Sequence, residues 1–229
     1  MDFLVPSRYC GPPESGNGGW VSGHLAALVE AGGAVTVRLL SPPPLDREMQ
    51  VLPGSDALTL VDGAIEVAQA RRATPLDTEP PGPIPFTTAA AAATEYPGLH
   101  EHPFPTCFSC GIVRDPGDAL CLRTGPVGAG VHAAAWVPGE VTPEIVWAAL
   151  DCPGAWALGV GGRPMVLGTM TAKVDALPAL GEEHVIVAWK LGESGRKHYS
   201  DTALYAGDRL FAQARATWIV IDPATIRPA

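Results

Sequence analysis

Val67-Ala68-Gln69-Ala70-Arg71 reappears near the other end of the chain as Phe211-Ala212-Gln213-Ala214-Arg215, and Gly63 falls on Gly207 at the same offset. A second pair of blocks follows the same order: Gly33-Ala34-Val35-Thr36-Val37-Arg38-Leu39 lines up with Gly168-Thr169-Met170-Thr171-Ala172-Lys173-Val174, each followed by a proline-bearing turn. Ahead of these lie two Ala-Ala-Leu helical cores, Leu25-Ala26-Ala27-Leu28 and Trp147-Ala148-Ala149-Leu150. Three matched elements in one order mark a duplicated unit, and self-similarity of this kind decides the architecture.

Each unit reads as one helix followed by an antiparallel meander. In the second, Thr142-Pro143-Glu144 supplies a cap, a proline in the first turn and an acid at the positive helix end, so a helix is predicted to run to about Leu158. Runs rich in β-branched and aromatic residues near 165–176, 183–191, 196–206 and 209–221 predict four strands, and shorter ones are predicted near 34–40, 48–53, 56–61 and 64–72. On the last strand Ala212, Ala214 and Ala216 share one face, which lets a helix approach the backbone closely. The expected organisation is a first repeat over 1–73, a crossover linker over 74–105 and a second repeat over 106–229, giving an α+β fold. The linker is rich in proline, and its alanine run, Ala89 to Ala93, allows a helix of two or three turns on an otherwise flexible, partly exposed path.

Length and composition agree with this. A chain of 229 residues that is 47% hydrophobic and 17% charged buries an ordinary core without help from metal or disulfides. A net charge of −9 with 15 Lys+Arg argues against nucleic acid as a partner, because such binding rests on clustered positive charge. With no apolar leader segment and no long apolar run, a cytoplasmic protein off the membrane is expected. Five cysteines, an odd number unevenly spread, fit reduced thiols.

Two further stretches carry a family likeness. Asn17-Gly18-Gly19-Trp20-Val21-Ser22-Gly23-His24-Leu25-Ala26 resembles the Gly-Gly helix start of hotdog-fold acyl-CoA thioesterases. Cys107-Phe108-Ser109-Cys110-Gly111, with Gly117-Asp118-Ala119-Leu120 after it, is similar to a segment that opens hotdog domains in related bacterial proteins. With the repeat, the chain resembles the fused double-hotdog, thioesterase II-like group. The resemblance implies a helix wrapped by a sheet in each half, halves joined through their sheets, an acyl-CoA or acyl carrier-protein thioester at the junction, no cofactor, and further assembly into a homo-oligomer.

Thioester hydrolysis needs a polarised carbonyl and a carboxylate that activates water or attacks. Gly18 and Gly19, opening a helix, can offer unencumbered N–H groups backed by the helix dipole, or simply shape the turn. Asn17, Trp20 and His24 join them as substrate-binding candidates on the same segment, although a histidine on an apolar helix is more often packed. Asp151 ends the apolar run Ile145 to Leu150, where a carboxylate is expensive unless paired or used, and Val29 takes its place in the first half, leaving one working site. The plain alternative is a surface aspartate where the helix bends or ends before Cys152-Pro153-Gly154. The resemblance further implies a strand threonine, Thr169 or Thr171, and a late glutamine, Gln213, although strand parity turns Gln213 away from the helix.

Other candidates are weaker. Cys107-x-x-Cys110, with Cys121, His100 and His102 nearby, suggests zinc, but a second close cysteine pair is absent and no metal site is expected. Cys152 lacks a sequence neighbour to activate it. His198-Tyr199-Ser200-Asp201 alternates faces on a strand and cannot converge. Trp147, Trp156, Trp189 and Trp218 can line an acyl pocket or pack the core. Beside a hydrolase stand two other readings, a hotdog dehydratase or isomerase that needs a histidine facing an acid across the halves, and a non-catalytic acyl-binding protein.

Overall fold

The computed structural model describes residues 1–29, 32–74 and 76–225. In chain order the elements are β1 (Asp2–Phe3), α1 (Gly18–Ala26), β2 (Ala34–Leu39), β3 (Met49–Pro53), β4 (Leu58–Asp62), β5 (Ile65–Ala73), α2 (Phe86–Ala92), β6 (Gly125–Gly128), β7 (Val131–Trp136), α3 (Pro143–Ala157), β8 (Met165–Val174), β9 (His184–Ser194), β10 (Lys197–Ala206) and β11 (Arg209–Val220). All strands join one antiparallel sheet in the order β1-β3-β4-β5-β2-β8-β11-β10-β9-β7-β6. Outward from the central β2–β8 pair the two arms repeat: β2, β5, β4, β3 on one side and β8, β11, β10, β9 on the other. The repeated blocks fall on equivalent elements, the Ala-Gln-Ala-Arg segments on β5 and β11 and the glycine-led segments on β2 and β8. Gly63 and Gly207 both turn a hairpin at positive φ, +60° and +53°, a backbone setting that favours glycine.

The two helices that follow the duplication, α1 and α3, pack on one face of this sheet, which is the α+β double hotdog. Alanines make the contact close: Ala68 and Ala70 on β5 and Ala212, Ala214 and Ala216 on β11 are all buried. The halves are joined by the ladder Val35↔Ala172, Thr36↔Thr171, Val37↔Met170 and Arg38↔Thr169.

α3 starts as its sequence dictates, with the Thr142 hydroxyl accepting from the Ile145 N–H and a proline in the first turn. It then runs straight through Pro153, so Asp151 is neither at a helix end nor on the surface. Pro153 deprives the Ala149 carbonyl of its helical donor. The carbonyls on either side, of Ala148 and Leu150, accept from the hydroxyls of Ser109 and Thr202, which helps hold the segment in place. α1 is much shorter and stops at Ala26, so Val29 lies in the turn beyond it and is no counterpart of Asp151.

Parts of the linker pack against the sheet, while much of it is exposed as expected. Ala89 of α2, with Ile84 and Phe86, lies in a second apolar cluster with Ala133, Val185, Val187, Ala203 and Tyr205 on the other face of the sheet. Farther up the linker, Thr78 donates to Asp201, a buried carboxylate that Arg215 grips with both Nε and Nη2 at 2.9 and 3.0 Å. Removing the guanidinium leaves that carboxylate buried and under-compensated. Arg215→Met should therefore destabilise the protein by about 3 kcal/mol, the low end for breaking a buried pair because Arg215 is itself a third exposed; urea unfolding measures it, and an unchanged midpoint would contradict it. Among the described residues no helix is long and apolar enough to cross a membrane.

Candidate active site

α1 and α3 cross in antiparallel fashion at glycines. A Cβ on Gly19 would stand 2.5 Å from the Asp151 Cβ and 2.7 Å from the Trp147 carbonyl oxygen, and one on Gly23 would stand 2.6 Å from the Glu144 Cα. Glycine four residues apart lets the helix backbones nearly touch. This close approach brings Asp151 to the start of α1.

There Asp151 Oδ2 accepts the Gly19 N–H at 2.9 Å. Its second oxygen, Oδ1, is buried and makes no hydrogen bond among the described residues. Burial pushes the Asp151 carboxyl up to about 7, against the pull of the Gly19 N–H. Asn17 caps α1, its Oδ1 accepting the Trp20 N–H at 2.8 Å, and that bond fixes the direction of its amide. The amide lies near enough to favour the ionised form of Asp151, but its Nδ2 is directed at the sulfurs of Cys107 and Cys152, at 3.7 and 4.0 Å.

A cavity of about 680 Å³ opens at this point between the halves. Asn17, Gly18 and Leu39 come from the first half, Asp151, Leu167 and Trp218 from the second, and Phe104 and Cys107 from the segment between them and α3. The volume lies within the ~300–1,000 Å³ common for small-molecule sites. Gly18, at the first helical position and on the cavity wall, has an N–H with no acceptor inside its own helix, at the positive end of α1.

Of the residues anticipated from sequence, Asp151, Asn17, Gly18 and Gly19 come together here. Gly19 differs in role, because its N–H is taken by Asp151 and is not open to a thioester oxygen. Trp20 is stacked between Tyr9 and His24, at 4.3 and 5.0 Å, and packs in the core. His24 lies beside Glu144, at 3.8 Å, away from the cavity. Thr169 and Thr171 are also absent from its wall, and the Thr171 hydroxyl bonds that of Thr36 across the central seam at 2.7 Å. The reason is a bulge: Trp218 pairs with Leu167 and Thr217 with Thr169, so Gly168 is the extra residue and the inward face passes from Leu167 to Met170. Gln213, between the inward Ala212 and Ala214, faces away from the helices as parity requires. Of the four tryptophans, Trp218 lines the cavity, Trp147 and Trp156 fill the core, and Trp189 packs in the second cluster. In the strand 197–206, Ser200 accepts from the Trp218 indole while Asp201 binds Arg215 on the opposite face, so that cluster does not converge.

Sequence reasoning missed Phe104 and the loop Gly11–Gly16 as cavity walls, and it set Cys152 aside. A proline- and glycine-rich loop carries no periodic signal. For Cys152 the only hint was its place next to Asp151.

No protein-family model matches the chain, and no curated protein matches it by sequence. Solved structures do resemble it in fold. A tesB protein of Mycobacterium avium subsp. paratuberculosis is 12% identical, with a TM-score of 0.61 over 96% of this chain and 92% of its own. A conserved hot dog fold protein of Alicyclobacillus acidocaldarius is 16% identical, with a TM-score of 0.59 over 97% and 93%. An acyl-CoA thioesterase II of Mycobacterium marinum is 10% identical, with a TM-score of 0.51 over 83% and 80%.

Proposed function

We propose that this double-hotdog chain hydrolyses an acyl thioester, of coenzyme A or of an acyl carrier protein, bound in the cavity between its halves. One observation carries the reading: Asp151 is buried on the cavity wall with one oxygen anchored by the Gly19 N–H and the other without a partner among the described residues. A carboxylate oxygen left bare in such a place is costly unless a ligand or water completes it. In this scheme Oδ1 accepts a proton from a water aligned on the thioester carbonyl, and the Gly18 N–H at the start of α1 stabilises the oxygen on which charge develops. The C–S bond then breaks and the leaving sulfur takes up the proton. Gly19 serves as a positioning residue for Asp151, and Leu39, Leu167, Phe104 and Trp218 offer an apolar wall to the acyl chain. That the fold is shared with an acyl-CoA thioesterase II of Mycobacterium marinum supports this reading by analogy.

A dehydratase or isomerase fits less well, since among the described residues no histidine lines the cavity and His24 is turned to Glu144. The test is release of free thiol from a panel of acyl-CoAs and acyl carrier-protein thioesters. Turnover that favours apolar acyl chains is the expected result. Tight acyl-CoA binding without thiol release would overturn hydrolysis in favour of a binding protein.

A further inference from the structure

Behind the cavity wall the sulfurs of Cys107, Cys110 and Cys152 all lie within 4.8 Å of one another, and all three residues are buried. They come from two distant parts of the chain, the loop before β6 and the middle of α3. The loop is built to hold its two thiols. A Cβ on Gly111 would meet the carbonyl oxygens of Cys107 and Pro105 at 2.5 Å, so only glycine permits the tight turn that folds Cys110 back over Cys107. The Cys110 carbonyl then accepts from three side chains, the Tyr96 hydroxyl, the His102 ring and the Arg123 guanidinium, at 3.0 to 3.1 Å. Supporting bonds of this kind fix a constellation before it is used.

Polar hydrogens gather on one side of the cluster, chiefly around the Cys107 sulfur. The Asn17 amide, oriented by the capping bond, is directed at two of them, Cys107 and Cys152, which lie 3.7 Å apart. The backbone N–H groups of Ser109 and Cys110 face the Cys107 sulfur. His102 is not a fourth ligand as it stands: one ring nitrogen accepts the Phe104 N–H and the other bonds the Cys110 carbonyl. Cys107 and Cys152, unlike Cys110, also form part of the cavity wall, so a fourth position opens on the side where Asp151 stands.

We infer that Cys107, Cys110 and Cys152 form a three-thiolate site for a thiophilic divalent cation of the zinc(II) class, with its remaining position facing the cavity. Thiolate ligands select such ions, and three protein ligands with one open position is a recurrent zinc arrangement. The C-x-x-C spacing had suggested zinc and was set aside for want of a second close pair. The fold supplies a single cysteine from a helix instead.

The experiment uses the full-length, reduced protein and needs no knowledge of the substrate. One equivalent of zinc(II) should bind, and cobalt(II) in its place should give thiolate-to-metal charge-transfer absorption. Cys110→Ser, which removes a ligand outside the cavity wall, should weaken binding by at least about 100-fold, beyond what loss of a supporting group usually costs. Cys121→Ser should leave it unchanged. In case Cys110→Ser fails to fold, the wild type gives a second reading: X-ray absorption of the bound zinc(II) should show three sulfur neighbours at about 2.3 Å. No uptake of either ion, or a bound ion without three sulfur neighbours, would overturn the site. Neither result depends on hydrolysis.

Discussion

Asp151→Asn should lower thioester cleavage by about 100-fold or more, the usual range for a lost general acid–base group, with little loss of stability. Asparagine keeps the shape of the side chain. Its carbonyl can still accept the Gly19 N–H that Asp151 Oδ2 now holds at 2.9 Å, but an amide NH₂ replaces the bare oxygen and cannot take a proton from water. Stability should hold or rise slightly, because the carboxyl is fully enclosed and its ionised form is disfavoured by burial. Thiol-release rates and thermal melting, measured together, separate the two effects. Equal rates in the two proteins would remove Asp151 from the mechanism.

Gly19→Ala should have the opposite profile, a loss of stability first. Helix propensity alone favours alanine by about 1 kcal/mol. Against this, the new methyl would stand 2.7 Å from the Trp147 carbonyl oxygen and 3.0 Å from the Ala148 Cα, and backbone atoms cannot rotate away. Relief requires α1 and α3 to separate, at about 1–3 kcal/mol for overpacking and sometimes more, so a net loss of about 1–2 kcal/mol is expected, a fall of roughly 2–8 °C in Tm for a chain of this size. Gly18→Ala is the control. Its methyl would meet the Leu167 Cβ and Cδ2 at 2.9 Å and the Leu39 Cδ1 at 3.2 Å, side-chain atoms only, so a smaller loss is expected. A Gly19→Ala protein that melts with the wild type would contradict the helix contact on which the placement of Asp151 depends.

The duplicated core was legible because its signals are periodic and local. Eight strands and α3 fall within a few residues of the expected ranges, since alternating β-branched residues, hairpin glycines and a Thr-Pro-Glu helix start act over short distances. β6 and β7 were missed for the same reason: Gly125-Pro126-Val127-Gly128 has little strand character, and His132-Ala133-Ala134-Ala135 not much more, so only the pairing of β7 with β9 and of β6 with β7 makes them strands. At the site, Asp151 stood out as a lone acid in an apolar run. The threonines did not survive, because one bulge at Gly168 reverses the parity of everything after it. The thiol cluster was out of reach, as Cys152 meets the Cys107-x-x-Cys110 loop only through tertiary packing.

The central claim is that the seam between the halves holds a thioester against Asp151. A crystal structure with a non-hydrolysable thioether analogue of an acyl-CoA tests it most directly. The carbonyl-equivalent carbon should lie one water molecule away from Asp151 Oδ1, its oxygen near the Gly18 N–H, and the acyl chain along Leu167 and Trp218. An analogue seated elsewhere, or one whose sulfur lies beyond reach of that carboxylate, would contradict the account.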